Sequence, residues 1–185
     1  ATLTATANVT NRSAARTAYF VANPDQVTWA TLSNTSVISG YEFSNLNQTL
    51  SATSAAGRTI TYSGAGLPAN VTITGATLGG LLGAVGNTSS TLTATAATTN
   101  RANTVAVTLQ TIPDVVTWSA PTSGQTITIQ ATDAVNQALA ASSAAGKAIT
   151  YSATNLPTGL SVVGSAVTGT PSGYTSSTTV SSNLT

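Results

Sequence analysis

The stretch Ile149-Thr150-Tyr151-Ser152 repeats Ile60-Thr61-Tyr62-Ser63, and the two copies are 89 residues apart. At this spacing, 31 of the 96 comparable positions are identical. A chain rich in Thr and Ala could repeat Thr-Ala runs by chance, but it would not bring rarer residues into one register. A gapless repeat of 89 residues is therefore predicted. Further matches at this spacing are Thr2–Ala7 with Thr91–Ala96, Pro24-Asp25 with Pro113-Asp114, Val27-Thr28-Trp29 with Val116-Thr117-Trp118, Ser54–Gly57 with Ser143–Gly146, and Leu67-Pro68 with Leu156-Pro157.

Short runs of alternating apolar and hydroxyl residues surround these matches. From Thr104 to Leu109, alternate positions are apolar, and the same pattern occurs at 127–129 and 149–152. Alternation with a period of two predicts half-buried strands. Turn residues recur about every ten positions, and no apolar stripe has a helical period. The predicted fold class is all-β, with tandem immunoglobulin-like β-sandwich modules of about seven strands each.

The repeat register also predicts where the modules begin and end. Pro24 and Pro113 open the two modules, since a proline lacks the N–H that a strand ladder needs. The predicted divisions are residues 1–23, which match the last strands of a module, then module 1 at 24–112, then module 2 at 113–185, incomplete at its C-terminus.

The ends of the chain therefore cut across modules, and two explanations remain open. The chain can be an excerpt of a longer array. Alternatively, residues around Asn8 to Asn23 can add as a strand to the C-terminal module of a neighbouring copy, which would produce a filament.

The second copy of the repeat carries a longer motif: a Tyr strand, then Leu156-Pro157-Thr158-Gly159-Leu160, then a strand that ends in Gly169-Thr170-Pro171. This motif resembles the immunoglobulin-like (cadherin-like) repeat modules of large bacterial surface proteins. The Val-Thr-Trp opening is similar to the version of the module in marine phage virion proteins. The first copy departs from the motif at Asn70 and at Leu81-Leu82. The resemblance implies a structural or binding role.

The charge of the chain excludes several classes of partner. Charged residues make up 5% of the sequence, with five basic and four acidic side chains and a net charge of +1. No basic run offers a footprint for nucleic acid or for anionic lipid. No apolar stretch is long enough to insert into a membrane. The expected partners are other protein subunits in a homo- or hetero-oligomeric assembly, and a host-surface glycan or receptor.

No residue pattern predicts catalysis or a cofactor. The chain has no His and no Cys, and its carboxylates are spread singly at Asp25, Glu42, Asp114 and Asp133. Many hydroxyls are present, but none has an identifiable base to activate it. Lys147 is the only Lys, and Arg58 holds its place in the first copy. The expectation is a non-enzymatic protein without catalytic, cofactor-binding or metal-binding residues, and Asp25 and Asp114 are predicted to stabilise turns.

Aromatic residues offer the remaining candidates for a contact site. Trp29 and Trp118 recur in the repeat and are predicted to lie in the core between sheets. Four aromatics occur only in the first copy and are candidates for a subunit or glycan contact: Tyr19, Phe20, Tyr41 and Phe43, replaced later by Thr108, Leu109, Gln130 and Thr132. The leading hypothesis is a component of a phage virion (fibre, tail or capsid decoration). The alternative is an extracellular or cell-surface adhesin or filament subunit of a bacterium or archaeon.

Overall fold

The structure is a computed structural model that describes residues 1–6, 8, 11–174 and 180–185. These residues form eighteen strands and no helix, so the all-β prediction is confirmed. We refer to residues 1–17 as the N-terminal hairpin, to residues 24–112 as the first segment and to residues 113–185 as the second segment. All of the strand pairings remain within one of these three parts.

The N-terminal hairpin joins β1 (Thr2–Thr6) and β2 (Ser13–Thr17) in antiparallel pairing. Thr2 lies opposite Thr17, and Thr6 lies opposite Ser13. Every residue of both strands is exposed to solvent. A two-stranded hairpin with no buried face is marginally stable in water.

The first segment contains nine strands in three sheets. One sheet has four strands in the order β4-β11-β10-β7, and β4 runs parallel to β11. The other sheets are β3-β6 and β5-β9-β8. The strands are β3 (Val27–Trp29), β4 (Ser36–Tyr41), β5 (Asn45–Thr49), β6 (Ala52–Ser54), β7 (Ile60–Ala65), β8 (Val71–Thr74), β9 (Thr77–Leu81), β10 (Gly86–Ala96) and β11 (Ala102–Ile112).

The core of the first segment lies between these sheets, which is consistent with a β-sandwich. The alternation predicted from Thr104 to Leu109 holds, because Val105, Val107 and Leu109 are all buried. Leu92 of β10 and Leu78 of β9 are fully buried in the same cluster. Burying one such side chain contributes roughly 1.5–3 kcal/mol, so this contact between sheets is the main source of stability for the segment.

The second segment is less complete. Its sheets pair β12 with β14, β13 with β17 and β16, and β15 with β18. Leu139, Val167 and Pro171 are the buried apolar side chains there among the described residues. The strands are β12 (Val116–Ala120), β13 (Val135–Ala138), β14 (Ala140–Ser143), β15 (Ala153–Thr154), β16 (Leu160–Val163), β17 (Ala166–Gly169) and β18 (Asn183–Leu184).

Two strand predictions for the second segment are wrong. Residues 127–129 and 149–152 lie outside any strand, and the next strand begins only at Ala153. The matching residues of the first segment lie in strands β4 and β7, which pair with β11 and β10. A strand requires a neighbour for its backbone hydrogen bonds. The described part of the second segment has no counterpart of β11, and only the short β18 lies in the place of β10.

Backbone geometry is repeated at the 89-residue spacing over most of the two segments. Left-handed φ angles occur at Gly75 and Gly164, both 58°, and at Gly80 and Gly169, 136° and 129°. A Cβ atom on Gly80 would overlap the carbonyl oxygen of Asn70, so only glycine fits there. Asn70 itself has φ of 64° where the second segment has Gly159. Asn tolerates this region better than most residues, which accounts for the departure of the first copy from the motif.

The spacing changes near the C-terminus. Leu92 of β10 lies opposite Gly64, whereas Leu184 of β18 lies opposite Ala153, the residue 89 positions after Gly64. Leu184 therefore takes the place of Leu92 at a spacing of 92 residues, and the second segment contains three additional residues before it. The prediction of a gapless repeat is wrong beyond Pro171, whose carbonyl still takes the place of the Leu82 carbonyl at the 89-residue spacing.

Candidate interaction surfaces

Asp25 stabilises a turn, as its position after Pro24 predicts. The Ser54 hydroxyl donates a hydrogen bond of 2.7 Å to its Oδ1, and the Ala56 N–H donates one of 3.0 Å to the same atom. The Thr99 hydroxyl donates to Oδ2 at 2.9 Å. The Ser54 hydroxyl, followed by the Ala56 N–H, holds the pKa of Asp25 below its ordinary value, because these bonds favour the charged carboxylate.

Asp114 repeats this arrangement in the second segment. The Ser143 hydroxyl donates to its Oδ2 at 2.6 Å, and the Ala145 N–H donates to Oδ1 at 2.9 Å. The same two donors, in that order, lower the pKa of Asp114, with a smaller contribution from the charge of Lys147. Both oxygens of each carboxylate thus accept hydrogen bonds. We refer to this arrangement as an Asp brace, because it holds the turn that follows β6 or β14.

The remaining charged candidates lie apart from one another or face the boundary between the two segments. The Asp114 N–H donates a hydrogen bond of 3.1 Å to Oε1 of Glu42. The Lys147 ammonium donates to the carbonyl oxygen of Phe43. Asp133 lies in an exposed turn, where its N–H donates to Gln130. Glu42 and Lys147 thus connect the end of β4 to the start of the second segment.

The two Trp residues differ in how deeply they are covered. Trp29 is 8% exposed and packs on Tyr62 with ring centroids 5.6 Å apart. Its indole N–H donates to the Asn103 carbonyl at 3.2 Å, and the Asn103 side chain donates to the Val27 carbonyl at 2.9 Å. Trp118 packs on Tyr151 at 5.5 Å but is only half-buried. A core position for Trp29 agrees with the prediction, and Trp118 remains partly open.

The four aromatics specific to the first copy occupy two places. Tyr19 and Phe20 follow the N-terminal hairpin and are strongly exposed. Tyr41 ends β4, and exposed Phe43 follows it at the boundary with the second segment. The four predicted contact residues therefore lie in two places. Tyr19 and Phe20 are open to solvent, whereas Tyr41 and Phe43 lie near the contact between the two segments.

A feature that the sequence did not predict is an open edge of the second segment at residues 125–130. These residues form no strand and have no strand partner among the described residues. Residues 127–130 line an open groove of about 310 Å³ together with residues 133–137. The identity of Ile127 with Ile38 of β4 was visible in the sequence, but it indicated a strand and carried no information about whether that strand has a neighbour.

The three-residue shift did have a signal in the sequence. Residues 181–185 read Ser-Ser-Asn-Leu-Thr and residues 89–93 read Ser-Ser-Thr-Leu-Thr, a match at a spacing of 92. The structure gives both stretches the same bond: Ser90 donates to the Gly66 carbonyl and Ser182 to the Asn155 carbonyl, each at 2.8 Å.

No protein-family model matches the chain, and no curated protein matches it significantly. Within the described residues, no set of three or more acidic, His or Cys side chains comes close enough to hold a metal ion. No helix in that part of the chain is long and apolar enough to span a membrane.

Proposed function

We propose that this chain is a non-enzymatic structural component of a phage virion (fibre, tail or capsid decoration) built from tandem immunoglobulin-like modules. The observation that carries the proposal is the repeated bracing of both segments. In each, an Asp accepts bonds from a Ser hydroxyl and a backbone N–H, and a Tyr hydroxyl accepts a backbone N–H. Two copies of one braced unit are what a repeated scaffold requires.

The strand order supports the immunoglobulin-like interpretation of the first segment. Immunoglobulin sandwiches place strands A, B, E and D in one sheet and C, F and G in the other. β3 corresponds to A, β5 and β6 together correspond to B, β8 corresponds to D and β9 corresponds to E. β7, β10 and β11 correspond to C, F and G, and β4 adds in parallel to the edge of G.

Low charge supports a role inside an assembly. Only nine of the 185 side chains are charged, and four of them, Asp25, Glu42, Asp114 and Lys147, are engaged in turns and in the contact between segments. A surface rich in Ser and Thr can be buried against other subunits without the desolvation cost of ionic groups.

Mass spectrometry of particles purified from infected host cells tests this proposal. Peptides of this chain should co-purify with infectious particles through a density gradient at a constant ratio to the major capsid protein. Their absence from particles, or their presence only in the soluble fraction, would contradict a virion role.

The alternative is an extracellular filament or adhesin subunit, and the exposed N-terminal hairpin favours it. β1 and β2 pair in the register of β10 and β11, because Leu3 opposite Arg16 matches Leu92 opposite Val105. Residues that follow this hairpin continue in the register of β11, which suits strand donation to another copy. Deletion of residues 1–23 should then abolish filaments in electron micrographs, and unchanged filaments would count against it.

A further inference from the structure

The open edge at residues 125–130 has an apolar face. Ile127 and Ile129 alternate with Thr126 and Thr128, so both Ile side chains lie on one side of the extended chain. Ile127 is 38% exposed. An uncovered edge with this alternation presents both backbone groups and apolar surface to a partner.

The first segment identifies what covers such an edge. Residues 36–41 form β4, which pairs in parallel with residues 107–112 of β11. Ile38, the counterpart of Ile127, lies opposite Leu109, and the two side chains are 6% and 2% exposed. The natural cover for residues 125–130 is therefore a parallel strand with a large apolar side chain opposite Ile127.

The open edge is held in place at both ends as β4 is. The Gln125 N–H donates to the Thr122 carbonyl at 3.0 Å, as Ser36 does to Ser33 at 3.1 Å. At the other end, the Thr132 N–H donates to the Pro171 carbonyl at 3.3 Å, as Phe43 does to Leu82 at 3.2 Å. The two ends of residues 125–130 are thus fixed as the ends of β4 are, which reduces the ordering that a partner strand would require.

Residues 18–23 have the chemistry of the required cover. They follow β2, whose register equals that of β11, so they correspond to residues 107–112. Phe20 corresponds to Leu109 and is 76% exposed, and its neighbour Tyr19 is 89% exposed. Large aromatic side chains this open are uncommon in an isolated protein and indicate a contact surface.

We propose that residues 18–23 of one copy of this chain pair in parallel with residues 125–130 of a second copy. Phe20 lies opposite Ile127 and fills the position of Leu109, and Tyr19 lies opposite Thr126 on the outer face. This inference rests on the module equivalence proposed above, and it deepens that proposal by naming a contact that joins copies head to tail. A contact of this kind does not close on itself and extends into a row.

The contact begins at Ala18 and does not include β1 and β2. Arg16 holds the place of Val105, which is buried in the first segment, and burying an unpaired guanidinium there would be costly. Asn183 and Leu184 already occupy the places of Thr2 and Leu3 beside β15. Because six residues per partner form a small interface, the association of two free copies is weak, and it gains strength where many copies are aligned.

Disulfide trapping tests this pairing, since the chain has no Cys of its own. In Tyr19→Cys/Thr126→Cys, both new thiols lie on the outer face and opposite each other. Mild oxidation of the concentrated protein should produce a ladder of covalent oligomers in steps of 18.2 kDa. The register control is Tyr19→Cys/Thr128→Cys, in which the Cα atoms would be more than about 7 Å apart. We expect at least tenfold more ladder from the first pair.

A second control separates failure of this inference from failure of the proposed modules. Thr108 lies opposite Val37 within the first segment, at the equivalent register position. Thr108→Cys/Val37→Cys should form a disulfide inside one chain. If it does and the Tyr19→Cys/Thr126→Cys ladder is absent, the contact between copies is refuted and the module equivalence stands. If Thr108→Cys/Val37→Cys does not form, β4 and β11 do not pair in this register, and the module equivalence loses the template on which the contact was built.

Two further outcomes also decide the matter. A Tyr19→Cys/Thr126→Cys disulfide that appears only within a single chain would overturn the proposal, because the occupant would then be the chain's own segment. Adding Phe20→Asp should reduce the ladder roughly tenfold to a hundredfold, since it replaces a buried aromatic by a charge. Phe20 is exposed in the single chain, so folding is preserved, and an unchanged ladder would contradict the pairing.

Discussion

The hydroxyl of Tyr62 accepts a hydrogen bond of 2.9 Å from the backbone N–H of Ala52, ten residues before it. Tyr151 accepts the equivalent bond from Ala141 at 3.0 Å. Each Tyr also packs against the Trp of its own segment. Tyr62 thus joins β7 to β6 of the neighbouring sheet through both an apolar ring contact and a polar bond, and Tyr151 makes the same two contacts from outside any strand.

Replacing this hydroxyl should destabilise the first segment. Tyr62→Phe keeps the ring and leaves the partly buried Ala52 N–H without its acceptor. We expect a loss of about 1–2 kcal/mol in the free energy of unfolding, measured by urea denaturation. Tyr19→Phe is the matched control, because Tyr19 is strongly exposed, and it should leave the midpoint unchanged. Equal effects of both variants would argue against the bond.

The Asp braces predict how stability depends on pH. Donors lower the pKa of Asp25 and Asp114 in the folded protein from an ordinary value of 3.8. A carboxyl whose pKa is lowered on folding contributes stability above its unfolded pKa, and that contribution is lost as pH falls through the folded pKa. The melting temperature should therefore be flat from neutral pH down to about pH 5 and should fall below about pH 4.

Removing the main donor to Asp25 should weaken this dependence. Ser54→Ala should reduce the acid-induced loss of melting temperature, because Ser54 is the largest cause of the lowered pKa. The control is Thr53→Ala, the adjacent exposed position of β6, whose side chain faces away from Asp25. If Ser54→Ala retains the full acid-induced loss, the brace does not control the pH dependence.

A third prediction concerns Gly80. Its φ of 136° and the nearby Asn70 carbonyl leave no room for a side chain. Gly80→Ala should cost about 3 kcal/mol, from backbone strain and overpacking together. Gly83→Ala is the control, because a Cβ atom there meets nothing within 4 Å. Thermal melts of the two variants should differ clearly, and indistinguishable melts would exclude the close approach of the Asn70 carbonyl to Gly80.

The core gives a fourth prediction. Leu78 is fully buried between the sheets, whereas Leu81 on the same strand is exposed. Leu78→Ala should lower the free energy of unfolding by about 3–5 kcal/mol, because it removes contacts and leaves a cavity. Leu81→Ala should change it by less than about 1 kcal/mol. Similar losses in guanidinium denaturation would indicate that the two sheets do not pack as described.

Much of the strand pattern could be read from local sequence. The alternation from Thr104 to Leu109 identifies the buried side of β11, because a strand sends successive side chains to opposite faces. Gly75 and Gly164 mark turns in both segments, because glycine accepts a positive φ without steric cost. These features depend on neighbours in the chain, and the sequence contains those neighbours.

Other features required contacts between distant residues. The match of residues 181–185 with 89–93 became meaningful only when β18 was found to pair with β15 in the register of β10 with β7. The open edge at residues 125–130 was equally hidden, because Ile127 and Ile38 have the same local pattern. Only Ile38 has a strand beside it, supplied about 70 residues later by Leu109 and its neighbours.

The sequence by itself determined the all-β class and the turn role of Asp25 and Asp114, and it predicted an 89-residue repeat. These follow from local patterning and from comparing the chain with itself. The tertiary structure alone decided which repeated residues are covered. Trp29 is buried because its indole reaches Asn103, 74 residues away, whereas Trp118 is only half-buried. Burial depends on which distant strand lies alongside, and that is a property of pairing between segments of chain rather than of either segment alone.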